Sequence, residues 1–206
     1  MSQKRARNER ATTSPPARDS SRRSRRSSLR LAAGAIAIVA VAAGAVLALR
    51  PSAPAKPAAA LAGTRAPAFS EVDVVSGKPV TSASLRGHNA LLFFSEGVMC
   101  QACFEQIQAL QARAGDLSRR GLVLVNITTD PPSVLRQAAA AYGITTPLVS
   151  DEDRDMSRAY DVLGQGMHPD TAGHTFVLVD SSGRVRWRRD YRTMYVPPAT
   201  LLASLP

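Results

Sequence analysis

Leu91-Leu92-Phe93-Phe94-Ser95-Glu96-Gly97-Val98-Met99-Cys100-Gln101-Ala102-Cys103 is the stretch that decides the fold of this 206-residue chain. Its first part, with Ala90, is a continuous apolar run of strand length bounded by polar residues, the pattern of a central strand buried on both faces. Beyond it, Cys103, Ile107, Leu110 and Ala114 recur at helical spacing, which predicts a helix over Cys100–Ala114. The two cysteines therefore sit where a buried strand turns into a helix. A pair separated by two residues can close a small disulfide across the first helical turn. Cys100 falls where free amides and the helix dipole stabilise a thiolate.

Outward from this unit the chain alternates strand and helix. Phe69–Val75 and Pro79–Thr81 flank Ser76-Gly77-Lys78 and read as a hairpin. Leu122–Ile127 is a second buried strand. Pro132–Tyr142 reads as a helix with Pro in its first turn and Gly143 near its end, and Asp130 is the expected cap at its start. Leu148-Val149 is a short strand and Met156–Tyr160 a short helix. Thr175–Val179 and Val185–Trp187 make a hairpin, and Pro197–Leu205 a closing helix. This order predicts an α/β fold with a mixed central sheet flanked by helices.

The formal net charge of +10 is unevenly placed. Residues 1–30 carry ten basic and two acidic side chains, whereas residues 68–206 hold 13 basic and 14 acidic ones. Between them, Leu31–Leu49 has no charge and no strongly polar group. Nineteen helical residues span about 28 Å, close to the hydrocarbon thickness of a bilayer. The expected organisation is a basic cytoplasmic tail (1–30), a single transmembrane helix (31–49), a Pro/Ala-rich spacer (50–67) and one redox domain (68–206). The arginines keep the N-terminus cytoplasmic and in contact with membrane lipid, so the domain is extracytoplasmic. Arg25-Arg26 also resembles a twin-arginine export signal, and Ala60-Leu61-Ala62 a cleavage site, so a cleaved, exported soluble form is the alternative. The patch Trp187-Arg188-Arg189-Asp190-Tyr191 is too short, on a near-neutral domain, to indicate a nucleic-acid partner.

The chemistry rests on Cys100 and Cys103. In the redox reading, Cys100 attacks and the more buried Cys103 resolves the mixed disulfide. Static core cysteines, a structural disulfide in a non-catalytic domain and half of a metal site stay open as other readings. No glycine-rich dinucleotide fingerprint is present, so no bound cofactor is expected. Glu96, in the turn before Cys100, reads either as a solvated turn residue or as an aid to proton transfer. Met167-His168 lies in a glycine-rich loop that can shape a substrate groove or bind a metal.

Four strings carry a resemblance: GTRAPAFSEVDVVSGKPVTSASLRG (63–87), LLFFSEGVMCQAC (91–103), ITTD (127–130) and HTFVLVDSSGRVRW (174–187). In their order and spacing they resemble the thioredoxin-like superfamily, in its peroxiredoxin-like (AhpC/TSA) or redoxin branch. The resemblance implies a thioredoxin-like fold and a membrane-tethered thiol-disulfide oxidoreductase, or a peroxiredoxin-like antioxidant protein, cycling through Cys100–Cys103. It implies a disulfide or peroxide substrate and a thiol redox protein as electron donor or acceptor. The family's peroxidatic cysteine follows a Thr or Ser by three residues; here that position is Gly97, which favours disulfide exchange over efficient peroxidase activity. Arg186 or Arg188 is the candidate for the family's nearby arginine. His174 occupies the place of the fold's usual cis-proline, opposite the cysteines, and is the third expected catalytic residue, as a proton carrier or thiolate partner near Cys100, with a surface or hairpin-capping histidine as the other reading. Copper-delivery proteins of the same fold use two cysteines and such a histidine, so a copper-binding assembly factor built on Cys100, Cys103 and His174 is the non-enzyme alternative.

Overall fold

The computed structural model describes residues 61–206. The basic tail, the apolar segment Leu31–Leu49 and most of the spacer lie outside the described residues. Among the described residues no helix is long and apolar enough to cross a membrane.

The chain runs β1 (Ser70–Val72), β2 (Pro79–Thr81), β3 (Asn89–Phe94), α1 (Gln101–Gln111), α2 (Ala114–Arg119), β4 (Leu122–Thr128) and α3 (Pro132–Tyr142). It continues through β5 (Leu148–Ser150), α4 (Asp155–Ala159), β6 (His174–Val179), β7 (Val185–Tyr191) and α5 (Pro198–Ala203). Five strands form a mixed sheet in the order β5-β4-β3-β6-β7. β3 pairs in parallel with β4 and antiparallel with β6, which places it at the centre. This is the mixed α/β architecture expected of the alternating sequence, in the thioredoxin-like form that the resemblance implies.

Both faces of β3 are covered, as its unbroken apolar run requires. Leu91, Phe93 and Phe176 pack in one layer with Phe104, Ile107 and Leu110 of α1, Leu135 of α3 and Leu201 of α5. Leu92, Phe94 and Val177 pack on the other face with Met156 and Tyr160. Phe93 and Phe176 stack with ring centroids 4.4 Å apart across the β3–β6 register. Each such fully buried aromatic contributes about 2–3 kcal/mol relative to an exposed one.

Three boundaries differ from the sequence reading. The packed region reaches back beyond Ala68: Leu61 is buried, and Gly63 and Thr64 exchange backbone hydrogen bonds with Val185. The first hairpin is shorter than expected and forms a separate two-stranded sheet. Its chain turns away after Val72 because the Asp73 carboxylate accepts from Val75 N, Ser76 N, Ser76 Oγ and Leu148 N. The long helix expected over Cys100–Ala114 breaks into α1 and α2, with Cys100 outside it as the N-cap.

Candidate functional site

β3 delivers the chain to the edge of the sheet, and a short 3-10 turn, Gly97–Met99, carries it to Cys100. Cys100 and Cys103 are joined in a disulfide, with their Cα atoms 5.3 Å apart. Cys100 caps α1 in extended conformation, and its Sγ accepts the Cys103 amide hydrogen at 3.2 Å. That amide lies in the first turn of the helix and is shared between the sulfur and the Cys100 carbonyl, to which it also donates at 3.0 Å. In the reduced protein it and the helix dipole favour negative charge on the Cys100 sulfur. Cys103, on the inward face of α1, is completely buried, and Cys100 is 5% exposed.

Asp130 shapes the turn before Cys100. It does not cap α3, whose first turn begins at Pro131 without a side-chain cap. Its Oδ2 instead accepts from Val98 N at 3.0 Å and from Thr128 Oγ1 at 2.9 Å. Gly97 has φ +75°, and a Cβ there would lie 1.7 Å from Asp130 Oδ2 and 3.1 Å from the Thr128 Cβ. The space that a side chain at 97 would need is thus filled by groups at the end of β4.

Glu96 is not a solvated turn residue. Its side chain is fully buried; Oε1 accepts from Met167 N and Oε2 lies 3.4 Å from His168 Nδ1. A Cβ on Gly166 would come within 2.2 Å of Glu96 Oε1, so glycine there permits the close approach. The glycine-rich loop is in this way tied to the cysteine turn, with Met167 67% exposed beside it and Met99 79% exposed in it.

His174 opens β6. Phe94 pairs with Thr175, which sets His174 at the edge of the sheet where β3 ends and the cysteine turn begins. Its ring packs edge-on against Phe93 (4.8 Å) and Phe176 (5.4 Å). It is 1% exposed, and burial lowers its pKa from 6.5 to about 4. Neither ring nitrogen has a hydrogen-bond partner among the described residues.

Neither candidate arginine serves the cysteines. Arg186 sits near Asp180, beyond the other end of β6. Arg188 is buried and donates to the carbonyls of Tyr160 and Asp161 and to Asp190. Arg188 is therefore unavailable to an aromatic-basic surface as well. Among the described residues no three His, Cys, Asp or Glu side chains stand close enough to hold a metal ion, so the copper reading gains no support. Sequence reasoning missed Ser95, Thr128 and the bracing role of Asp130. A polar residue directly after a buried strand was the available signal for Ser95.

A family model described as AhpC/TSA family matches residues 62–188. A putative peroxiredoxin of Mycobacterium tuberculosis is 33% identical over 103 residues, which is 50% of this chain and 65% of that protein. The chain thus spans just under two thirds of that relative. A thioredoxin peroxidase of Echinococcus granulosus is 31% identical over 139 residues, covering 62% of this chain and 70% of that protein. Among solved structures, Enterococcus faecalis AhpC superposes with a TM-score of 0.63 at 16% identity, over 69% of this chain and 89% of that one, which speaks for the fold. With the family match extending over more than half of its length, the chain belongs to the AhpC/TSA family.

Proposed function

We propose that the domain is a thiol oxidoreductase that reduces a peroxide at Cys100 and stores the oxidation as the Cys100–Cys103 disulfide. The observation that carries this reading is the Cys103 amide directed at the Cys100 sulfur from the start of α1. The Cys100 thiolate attacks the peroxide, releasing an alcohol or water and leaving a sulfenic acid. The Cys103 thiol then displaces the hydroxyl as water, and the disulfide forms. A thiol redox protein returns two electrons through a mixed disulfide at Cys100. The names of the relatives, peroxiredoxin and thioredoxin peroxidase, favour a peroxide as oxidant. His174 is assigned as proton carrier.

Disulfide exchange with a protein substrate is the second reading. Gly97 favours it, because no hydroxyl is available three residues before Cys100 to orient a peroxide. The apolar Leu31–Leu49 and its basic flank support a tether that places the domain outside the cytoplasmic membrane. The corresponding division is tail 1–30, span 31–49, spacer and redox domain.

The test uses reduced full-length protein with hydrogen peroxide, an organic peroxide and a protein disulfide offered separately. Peroxide consumption lost in Cys100→Ser, with a trapped sulfenic acid in Cys103→Ser, is the expected result. Reaction with the protein disulfide alone selects exchange. Reaction with none of the three leaves the disulfide as a static staple.

A further inference from the structure

We propose that Ser95 and His174 form the proton-transfer site of the buried cysteine, Cys103. The inference rests on the two-cysteine cycle above and assigns its least accessible step.

The register sets the two residues side by side. β3 and β6 pair Phe93 with Phe176 and Phe94 with Thr175, so the next step along the ladder places Ser95 opposite His174. Side chains alternate along a strand, so Ser95 shares the face of Leu91 and Phe93, and His174 that of Phe176. Leu91, Phe93 and Phe176 all belong to the layer beneath α1. Cys103 occupies the inward face of the first turn of α1, one helical turn before Ile107, at the same edge of the sheet.

The polar accounting is unusual at this point. Ser95 and His174 are each 1% exposed. Among the described residues five buried side-chain N or O atoms lack a partner, and three of them are Ser95 Oγ, His174 Nδ1 and His174 Nε2. Buried polar groups are nearly always paired, so three unpaired atoms at the end of the sheet from which the cysteine turn leaves point to a partner present in another state of the cycle. The thiol of reduced Cys103, buried on the first turn of α1, is the partner this inference assigns to them.

The chemistry fits the need. To attack a species held on Cys100, Cys103 must give up its proton, and burial in apolar surroundings makes a thiol hold it more tightly. The neutral imidazole offers a free nitrogen lone pair, and the Ser95 hydroxyl can satisfy the other nitrogen and so fix the tautomer. The Cys103 sulfur supplies the electron pair of the new S–S bond, the leaving group departs from Cys100 with its own pair, and the proton passes to His174 and on to solvent. On re-reduction the departing Cys103 thiolate takes a proton back from the same site. The titratable and charged groups on adjoining elements are Tyr191 on β7, whose ring centroid is 6.2 Å from that of His174; Arg189 on the same face of β7, its guanidinium 5.4 Å from the centre of the Tyr191 ring; Arg188 and Asp190, paired with each other on the other face of β7; Glu96 and Asp130 at the cysteine turn; Glu105 on α1; and Cys100 itself.

The experiment treats reduced full-length protein with 5,5′-dithiobis(2-nitrobenzoate) across pH 5–9. The first thionitrobenzoate released marks the mixed disulfide at Cys100, and the second marks attack by Cys103. In His174→Gln the second release slows relative to the first by roughly 10- to 100-fold near pH 7, within the range of general acid–base effects. Its rate then climbs about tenfold per pH unit towards the pKa of the thiol, where the wild-type profile levels off earlier. Ser95→Ala slows the same phase less and keeps the wild-type shape; melting curves of both variants report folding. Wild-type ratios and profiles in both variants, with a single release in Cys103→Ser, overturn the proton-transfer site and leave the two-cysteine cycle standing. A mixed disulfide at Cys100 that persists in the wild-type protein, with no second release, overturns the cycle itself.

Discussion

Asp151 follows β5 and His174 opens β6; each is 1% exposed, and they are treated in opposite ways. The Asp151 carboxylate follows β5 and accepts from Met156 N at 2.9 Å, Ser157 N at 2.7 Å and Ser157 Oγ at 2.5 Å, anchoring the start of α4. The His174 ring makes no hydrogen bond among the described residues. Asp73 follows the Asp151 pattern, with four donors around one carboxylate. The two carboxylates that anchor the fold have their bonding capacity taken up. At Ser95 and His174 capacity is left over, at the end of the sheet from which the cysteine turn leaves.

The largest expected effect breaks the saturated side of this contrast. Asp151→Ala leaves three donors without an acceptor and should cost about 4 kcal/mol, given roughly 1–3 kcal/mol per orphaned buried group. Denaturant unfolding measures it, and a loss below about 1 kcal/mol would mean that Asp151 is no anchor.

The unsaturated side is tested by acid. The folded pKa of His174 is lowered to about 4 from 6.5, so below pH 6.5 the unfolded chain takes up a proton that the folded chain refuses. Stability from this group is complete above pH 6.5 and is lost as pH falls towards 4, by about 3 kcal/mol at 1.36 kcal/mol per unit. Asp151 and Glu71 act with the opposite sign in acid, since burial chiefly raises both carboxyl pKa values. The comparison of wild type with His174→Gln isolates the histidine. The variant should lose less stability than wild type between pH 6.5 and 4; parallel curves would show that the ring is not held neutral.

The same contrast explains what the sequence could reveal. β3, the helix carrying the cysteines and the β6–β7 hairpin are legible because each writes its environment locally: an apolar run, a 3.6-residue period, or a turn between alternating segments. Glu96 and Asp130 were misread because their surroundings come from elsewhere in the chain. Glu96 is buried by a loop 71 residues later, and Asp130 reaches back 32 residues to Val98. Local logic offers water to the first and a helix start to the second. The pairing of Ser95 with His174 depends on the β3–β6 register, which joins segments some 80 residues apart, so neither residue alone announces it.

Gly97 and Asp130 give the smallest and most specific test, because here a carboxylate from beyond β4 braces the redox turn. Gly97→Ala introduces a Cβ 1.7 Å from Asp130 Oδ2 at a backbone angle of φ +75° and should cost about 2 kcal/mol. Asp130→Ala removes the acceptor for Val98 N and Thr128 Oγ1, at about 1 kcal/mol. The double variant separates the two parts of the glycine requirement. Removing the carboxylate abolishes the collision but leaves the left-handed backbone, so the double variant should be less destabilised than the sum of the singles. Strict additivity would show that backbone conformation alone demands glycine. Non-additivity would show that Asp130 excludes a side chain at 97, so that the missing hydroxyl before Cys100 follows from how the turn is braced.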